Sequence, residues 1–351
     1  MALHGIGHRR QAWYPVLDRL ARQRDVILVD LPGHGESPPL QPRGRSVPQT
    51  LVDETLLFID SLGLERPHFV GNSVGGRLAL EAGVRRRAAS VTAISPAGFW
   101  TSHLQLAYAL DVSRAMEIGA RLVGPLAPVI VRSTVGRALI YADIVARPSQ
   151  VTPEQAMGDL KAYLRAIPAI NMILDAAVPF SGVIHDKIPV TIAWGTKDRL
   201  LLPRQALVAK ARLPKARLVP LRGCGHVPMT DDPAQVAEVL LHGSRIEVGQ
   251  AWQRADADAD ADATAGLARA RVPLRRLEQG ARKVRVSAVP RGESQQGTAV
   301  REKAGSVYVP LTRRNPIAVR VTPFTRCNMQ GPVPASAFAR WRLHRGAEGV
   351  A

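Results

Sequence analysis

The stretch Gly71-Asn72-Ser73-Val74-Gly75 decides the fold of this chain. It follows the apolar run His68-Phe69-Val70 and precedes Gly76-Arg77-Leu78-Ala79-Leu80, so the sequence predicts a strand, a sharp turn and a helix. A serine on such a turn is held in a strained backbone conformation that exposes its hydroxyl above the edge of a sheet. Side chains at positions 71 and 75 would collide where the strand and the helix cross, so we expect both glycines to be required.

Two later strand ends supply an acid and a base. The apolar run 188–194 is typical of a buried strand and leads to Asp198, and the short strand predicted at 216–220 leads through a glycine-rich loop to His226. Open α/β sheets place their sites at the carboxyl ends of strands. We therefore expect Ser73, Asp198 and His226 to meet at one edge of the sheet.

Four further motifs support a resemblance to a known superfamily: His4-Gly5-Ile6-Gly7, the segment 30–37, Trp194-Gly195-Thr196-Lys197-Asp198 and Gly225-His226-Val227-Pro228-Met229. Together with the order Ser, Asp, His along the chain, they make the sequence resemble the α/β-hydrolase superfamily. The similarity is to its serine branch with a helical cap, and it spans roughly Leu3 to Leu241. It implies an α/β fold with a mostly parallel sheet.

The resemblance also implies a role for each residue. Ser73 would be the nucleophile, and it needs a base because a free hydroxyl attacks an acyl carbon poorly. His226 would be that base, and Asp198 would hold its tautomer and stabilise the imidazolium as it forms. Backbone N–H groups of Ile6 and Val74 would form the oxyanion hole.

Each of these residues also has a simpler interpretation. Ser73 could be an ordinary turn serine, and Asp198 could cap a helix that starts near Pro203. Among the histidines, only His226 combines a preceding strand, a glycine-rich loop and a place after the acid. We interpret the remaining polar candidates as structural: His4 and His34 as loop organisers, His68 as a strand start, Asp30 as structural because it precedes Ser73, and Cys224 as a loop thiol without a base.

Composition excludes several classes of protein. Hydrophobic residues make up 46% of the 351, which is ample for a core, and the two cysteines exclude a disulfide scaffold and suit a reducing compartment. The net charge is +18, but the basic residues are scattered, which does not favour nucleic acid as a partner. The sequence contains no metal-ligand motif, no apolar run of about 18 residues and no signal peptide. We expect a cytoplasmic protein without cofactor, metal or membrane span; its oligomeric state stays open.

The domain prediction follows the rhythm of strands and helices. Residues 1–97 and 187–244 form the two parts of the α/β-hydrolase core, and residues 98–186 are a helical cap interrupted at several prolines, Pro168 among them. The predicted helices of the core are residues 10–21, 47–62, 203–212 and 232–241; the first has an apolar stripe, Trp13, Val16, Leu17 and Leu20, and Asp231 or Asp232 can cap the last. Residues 245–351 contain an alternating Ala-Asp run and no steady period, so we expect a low-complexity, disordered tail.

The chain departs from the superfamily at its beginning. Members normally have two strands and most of a third before the oxyanion loop, whereas here only residues 1–4 precede it. We expect a sheet that lacks its first strands, with residues 1–4 in the central place between the strands 26–29 and 69–70. Two explanations stay open: the true start lies upstream, or the product is a damaged enzyme.

The leading hypothesis is a serine hydrolase that cleaves a small or medium carboxylic ester through an acyl-enzyme. Hydrolysis of carbon–carbon bonds in vinylogous diketone acids is an alternative, since those enzymes share a Gly-Asn-Ser turn; they usually carry Trp after the catalytic His, where Val227 stands here. Cofactor-free haloperoxidases share the triad. Dehalogenases and epoxide hydrolases use Asp in place of Ser73. A further alternative is an inactive, truncated remnant.

Overall fold

The computed structural model describes residues 1–245 and the short segments 281–283, 287–289 and 308–310. Its strands are β1 (Ala2–Leu3), β2 (Val26–Val29), β3 (His68–Asn72), β4 (Ser90–Ile94), β5 (Val190–Gly195), β6 (Arg217–Leu221), β7 (Ala281–Lys283), β8 (Ser287–Val289) and β9 (Tyr308–Pro310). Its α-helices are α1 (Tyr14–Ala21), α2 (Val47–Ser61), α3 (Val74–Val84), α4 (His103–Val123), α5 (Ala127–Ile130), α6 (Thr134–Ile140), α7 (Pro153–Asp175), α8 (Gln205–Arg212), α9 (Pro228–Asp231) and α10 (Pro233–Gly243). Short 3₁₀ turns lie at Arg10–Trp13, Gly124–Leu126 and Pro148–Gln150.

Seven of these strands form one sheet in the order β6-β5-β4-β3-β1-β2-β8. Strands β1 to β6 are parallel to their neighbours, and β8 pairs antiparallel with β2. Strands β7 and β9 pair with each other. The predicted α/β fold with a mostly parallel sheet is confirmed. Apart from residue 245 and these three strands, the predicted disordered tail lies outside the described residues.

The centre of the sheet is filled by β1, which is only two residues long. Ala2 and Leu3 are buried and pair with β2 on one side and β3 on the other. A central strand must satisfy its backbone groups on both sides because buried, unpaired N–H and C=O groups are costly. The structure therefore confirms the expected position of residues 1–4.

Helices cover the sheet with the faces that their sequence periodicity predicts. The predicted apolar stripe Trp13, Val16, Leu17 and Leu20 is buried, and α1 packs against α10. The start of α10 is fixed by Asp232, whose Oδ1 accepts a hydrogen bond from the Gln235 N–H at 2.9 Å. The edge residues of the predicted helices shift by no more than a few positions, which is usual for helix ends.

Four helices, α4 to α7, and no strand separate β4 from β5 in the chain. The predicted interruption at Pro168 is wrong, because Pro168 lies inside α7. A proline in a helix interior lacks an N–H donor and costs about 3 kcal/mol. The helix continues through it because residues on both sides, among them Ile167 and Ile170, are buried in an apolar cluster.

Candidate active site

Ser73 occupies the turn between β3 and α3 in a strained conformation, with φ of 55° and ψ of −118°. The two flanking glycines allow this turn. A Cβ at Gly71 would lie 2.1 Å from the Gly75 carbonyl oxygen, and a Cβ at Gly75 would lie 2.2 Å from the Leu3 carbonyl oxygen. Both distances are far below any normal contact, so the expected collision at positions 71 and 75 is confirmed.

His226 and Asp198 are in direct contact. His226 Nδ1 lies 2.8 Å from Asp198 Oδ2, and both side chains are buried. The other carboxylate oxygen, Oδ1, accepts hydrogen bonds from the N–H groups of Leu200 at 3.0 Å and Leu201 at 2.8 Å. A carboxylate only accepts, so Nδ1 carries the proton that it donates to Asp198, and the lone pair of the neutral ring is on Nε2. Because α8 begins only at Gln205, Asp198 is not the cap of that helix.

Two side chains, those of Asn72 and Asp231, hold the loop that carries His226 through hydrogen bonds. The Asn72 side chain donates to the His226 carbonyl oxygen at 2.9 Å, which joins this loop to the serine turn. The Asp231 carboxylate accepts from the N–H groups of Gly225 at 2.7 Å, Ala146 at 3.1 Å and Arg147 at 2.7 Å. The sequence suggested Asp231 only as a possible helix cap, since nothing in its surroundings signals a partner some 85 residues away.

Ser73 and His226 line the same cavity, of about 380 Å³, which we call the large cavity. The Ser73 hydroxyl and the His226 ring are not joined by a hydrogen bond within the described part of the chain. Such bonds are often long without substrate and shorten in the reacting complex. The structure thus brings His226 and Asp198 together, and places Ser73 on a shared wall with His226.

Val74 and Ile6 lie next to Ser73. Val74 is the first residue of α3, so its N–H has no partner within the helix and lies at the positive end of the helix dipole. The loop that carries Ile6 packs against the turn, because a Cβ at Gly5 would lie 3.2 Å from the Ser73 Cβ. The first residue of α3 and the loop that carries Ile6 therefore both lie beside the serine.

His4 holds this loop in place. Its Nε2 accepts a hydrogen bond from the Leu31 N–H at 3.0 Å, and its Nδ1 lies 2.7 Å from the Gly5 carbonyl oxygen. This pattern requires a neutral ring, and burial lowers the pKa of His4 well below its ordinary value. His34 Nδ1 donates to the Pro32 carbonyl oxygen at 3.0 Å, and burial lowers the pKa of His34 to about 4. Both histidines organise loops, as predicted.

The other polar candidates are also structural. Asp30 forms a buried ion pair with Arg10 and accepts hydrogen bonds from the N–H groups of Arg10 and Glu36. His68 begins β3 and lies 2.8 Å from the Ser90 hydroxyl. Burial raises the pKa of the Cys224 thiol to about 12, so this thiol stays protonated near neutral pH and is a poor nucleophile.

A second cavity, of about 220 Å³, is also lined by Ser73; we call it the small cavity. Both cavities include Ile6, Ser73 and Ser113 in their walls. Helix α4 lines both: its first half, with Leu106, Ala109 and Leu110, faces the small cavity, and its second half faces the large one. Residues that contact only the large cavity include Met116, Gly119, Ala120 and Val123.

The wall of the large cavity also carries a polar cluster that the sequence does not suggest. Asp159 Oδ2 accepts a hydrogen bond from the Tyr141 hydroxyl at 2.9 Å, and Oδ1 accepts from Arg9 Nε at 2.9 Å. His8 lies beside this cluster. Within the described residues, no group of three or more His, Cys, Asp or Glu side chains could hold a metal ion, and no helix is long and apolar enough to cross a membrane.

Comparisons with known proteins agree with this fold. The sequence profile of the alpha/beta hydrolase family matches residues 2–239. The chain is 32% identical to the epoxide hydrolase EphH of Mycobacterium tuberculosis over 198 residues, which cover 54% of this chain and 91% of that protein. It is 25% identical to Lipase 1 of Psychrobacter immobilis over 256 residues, covering 68% and 74% of the two chains.

A solved structure of similar fold is that of the 2-hydroxy-6-oxo-6-phenylhexa-2,4-dienoate hydrolase of Rhodococcus sp. strain RHA1. Its TM-score is 0.53 at 20% identity, and the match covers 70% of this chain and 89% of that one. At this identity the likeness concerns the fold alone. The family profile, in contrast, covers about two thirds of the sequence and includes the serine turn and the loop of His226. The chain therefore belongs to the alpha/beta hydrolase family.

Proposed function

We propose that this hydrolase cleaves a small or medium carboxylic ester through an acyl-enzyme on Ser73, with His226 as base and Asp198 as the residue that orients it. The observation that carries the proposal is the 2.8 Å contact between His226 Nδ1 and Asp198 Oδ2, beside a strained serine on the same cavity wall. A relative named as a lipase agrees with this chemistry.

The reaction has two halves. The Ser73 oxygen attacks the ester carbon while its proton passes to His226 Nε2, and the Ile6 and Val74 N–H groups stabilise the negative oxygen that forms. His226 then gives its proton to the departing alcohol, which leaves an acyl group on Ser73. A water molecule, deprotonated by His226, attacks this acyl group, and the carboxylic acid leaves as Ser73 regains its proton.

Residues 98–186 act as a cap in this proposal. Helices α4, α6 and α7 supply residues to the walls of the two cavities, so the insertion encloses the space above Ser73. Enclosure excludes bulk water and shapes the pocket that selects a substrate.

The alternative functions have less support. Epoxide hydrolases of the superfamily that the sequence resembles use Asp at this turn, whereas this chain has Ser73 there. The described wall of the large cavity carries no Lys or Arg that could bind the carboxylate of a vinylogous diketone acid, whereas Asp143 and Asp159 lie on it. An inactive remnant is less well supported because β1 pairs on both sides and His226 contacts Asp198.

Labelling with a fluorophosphonate probe tests the proposal. Wild-type protein should be labelled, Ser73→Ala should not be, and the control Cys224→Ala should be labelled like the wild type. Ser73→Ala or His226→Ala should also reduce the turnover of nitrophenyl esters by roughly 10³ to 10⁶, since the members of such a triad act as a unit. Absence of labelling in folded wild-type protein would favour the inactive remnant, and turnover within tenfold of the parent would remove the substituted residue from the triad.

A further inference from the structure

The two cavities beside Ser73 differ in what they offer a substrate. The small cavity includes Val74, and its wall is mainly apolar, with residues such as Leu78, Leu110 and Ile173. Charged or polar side chains also lie on that wall, among them Gln49, Arg77, Glu81 and Arg85. The large cavity includes His226 and three other polar side chains, those of His8, Tyr141 and Asp159. An ester has two halves, and each half must leave Ser73 in a different direction.

The position of His226 assigns these directions. The departing alcohol takes its proton from His226 in the proposed function, on which this inference rests, so the alcohol oxygen must lie on the His226 side of Ser73. His226 lines the large cavity and not the small one. The acyl chain then extends into the small cavity, whose mainly apolar wall suits a short hydrocarbon.

Among the described residues, the His8 ring is a polar group on the wall of the large cavity that no protein group hydrogen-bonds. Both oxygens of Asp159 already accept hydrogen bonds, from Arg9 and from Tyr141, and the Tyr141 hydroxyl is used in the second of these. The Nδ1 atom of His8, by contrast, is buried and has no hydrogen-bond partner in the described part of the chain. The other ring nitrogen, Nε2, has no hydrogen-bond partner among the described residues either, so a ligand in the large cavity can contact it without displacing a protein group.

We propose that the large cavity binds the departing alcohol of the ester and that His8 hydrogen-bonds a hydroxyl group carried by that alcohol. A neutral imidazole has one donor and one acceptor, and a hydroxyl group can satisfy either. Burial lowers the pKa of His8, and the nearby His226 lowers it further while Asp159 raises it, so the net direction favours the neutral ring. The carboxylates of Asp143 and Asp159 on the wall disfavour an anionic alcohol.

The hydrogen bond to His8 favours esters of a diol or a triol, whose alcohol keeps a free hydroxyl group, over esters of a simple alcohol. Two substrates with the same acyl chain compare them: glycerol monobutyrate, whose alcohol keeps two hydroxyl groups, and propyl butyrate, whose alcohol has none besides the ester oxygen. For the wild type we expect kcat/KM to be about tenfold higher for the glycerol ester, which corresponds to one hydrogen bond to a buried partner.

Three variants test the role of His8. His8→Leu should bring the ratio of the two kcat/KM values close to one, and His8→Gln, which keeps polar atoms, should retain part of the preference. His242→Leu is the matched control, because His242 is exposed and lies outside both cavities, and it should keep the wild-type ratio. Thermal unfolding of each variant identifies any that does not fold, and the His8→Gln variant then carries the comparison.

A wild-type ratio of one or less would overturn the inference, and so would an unchanged ratio in both His8 variants. These results are distinct from failure of the proposed function. In that case the protein would neither hydrolyse any ester nor react with a fluorophosphonate, and the inference would fall with it. Ester hydrolysis and labelling of Ser73 with no role for His8 would leave the proposed function standing and remove only the assignment of the alcohol site.

Discussion

At the scale of single residues, two carboxylates, those of Asp198 and Asp231, hold the candidate site together, and every one of their oxygens accepts a hydrogen bond. Asp198 accepts from His226 with one oxygen and from two backbone N–H groups with the other. Asp231 accepts three backbone N–H groups, which belong to the His226 loop and to the segment before the 3₁₀ turn at Pro148–Gln150. The first carboxylate orients the His226 ring, and the second positions the loop from which that ring projects.

Asp231→Asn tests this positioning role. An amide NH₂ would face backbone N–H groups where a carboxylate oxygen now accepts, so at least one of the three hydrogen bonds is lost. We expect the free energy of unfolding to fall by about 2 to 3 kcal/mol, as measured by urea denaturation. Turnover should fall by about tenfold, since small displacements of a base slow catalysis strongly.

The control for this substitution is Asp175→Asn, at an exposed position at the end of α7. It makes the same change of charge away from the site. If Asp231→Asn and Asp175→Asn lowered stability and turnover equally, the three hydrogen bonds of Asp231 would not hold the His226 loop.

At the scale of elements, α4 is the feature on which specificity depends. Ala109 lines the small cavity and Ala120 lines the large one, on the same helix and some three turns apart. A larger side chain at either position reduces the volume of one cavity and leaves the wall of the other unchanged. The helix therefore offers a matched pair of substitutions.

Ala109→Phe should reduce turnover of long acyl chains more than of short ones, because the added ring fills the small cavity. Ala120→Phe should instead reduce turnover of esters with bulky alcohols, with little change in the preference for acyl chain length. The measurement is kcat/KM for two series of esters, one with a varied acyl chain and one with a varied alcohol. The opposite pairing of variants and series would show that the two cavities have been assigned the wrong way round.

At the scale of the whole molecule, buried neutral histidines couple stability to pH. Burial lowers the pKa values of His4 and His34, the latter to about 4. In the unfolded chain a histidine titrates near ~6.5. Below that pH the unfolded state therefore binds more protons than the folded state, and stability falls as the pH falls.

The contribution of these two histidines to the free energy of unfolding should be nearly independent of pH above about 7. It should decrease as the pH falls from about 6.5 to about 4. His34 alone contributes a loss of about 3 kcal/mol over this range. His34→Gln should remove one proton from the pH dependence measured by urea unfolding. An identical slope in the His34 variant and the wild type would contradict this account.

Much of the fold could be predicted because its signals are local. The glycines of the serine turn, the apolar runs of the strands and the stripe of α1 each depend on neighbours within a few residues, and the structure confirms them. The position of His226 after a strand and a glycine-rich loop is a local signal too. The contact between His226 and Asp198 followed from chain order and sheet topology together.

The rest depends on contacts between distant parts of the chain. Arg9 and Asp159 are 150 residues apart, and Asn72 and His226 are 154 apart, so no periodicity in the sequence connects them. The unpaired Nδ1 of His8 becomes visible only when the cavity wall is assembled. Pro168 was misjudged for a related reason: burial of its neighbours outweighs the local preference of proline to end a helix.

The division of α4 between the two cavities has an evolutionary consequence. Mutations along this one helix could change the preference for either the acyl or the alcohol half of an ester. The residues at the edge of the sheet that would carry out the proposed reaction would stay the same. Homologues that descend from one gene could then acquire different substrate specificities by exchanging small and large side chains at a few positions of this helix. A comparison based only on the nucleophile and its neighbours would not detect this divergence, because that part of the site would be the same in all of them.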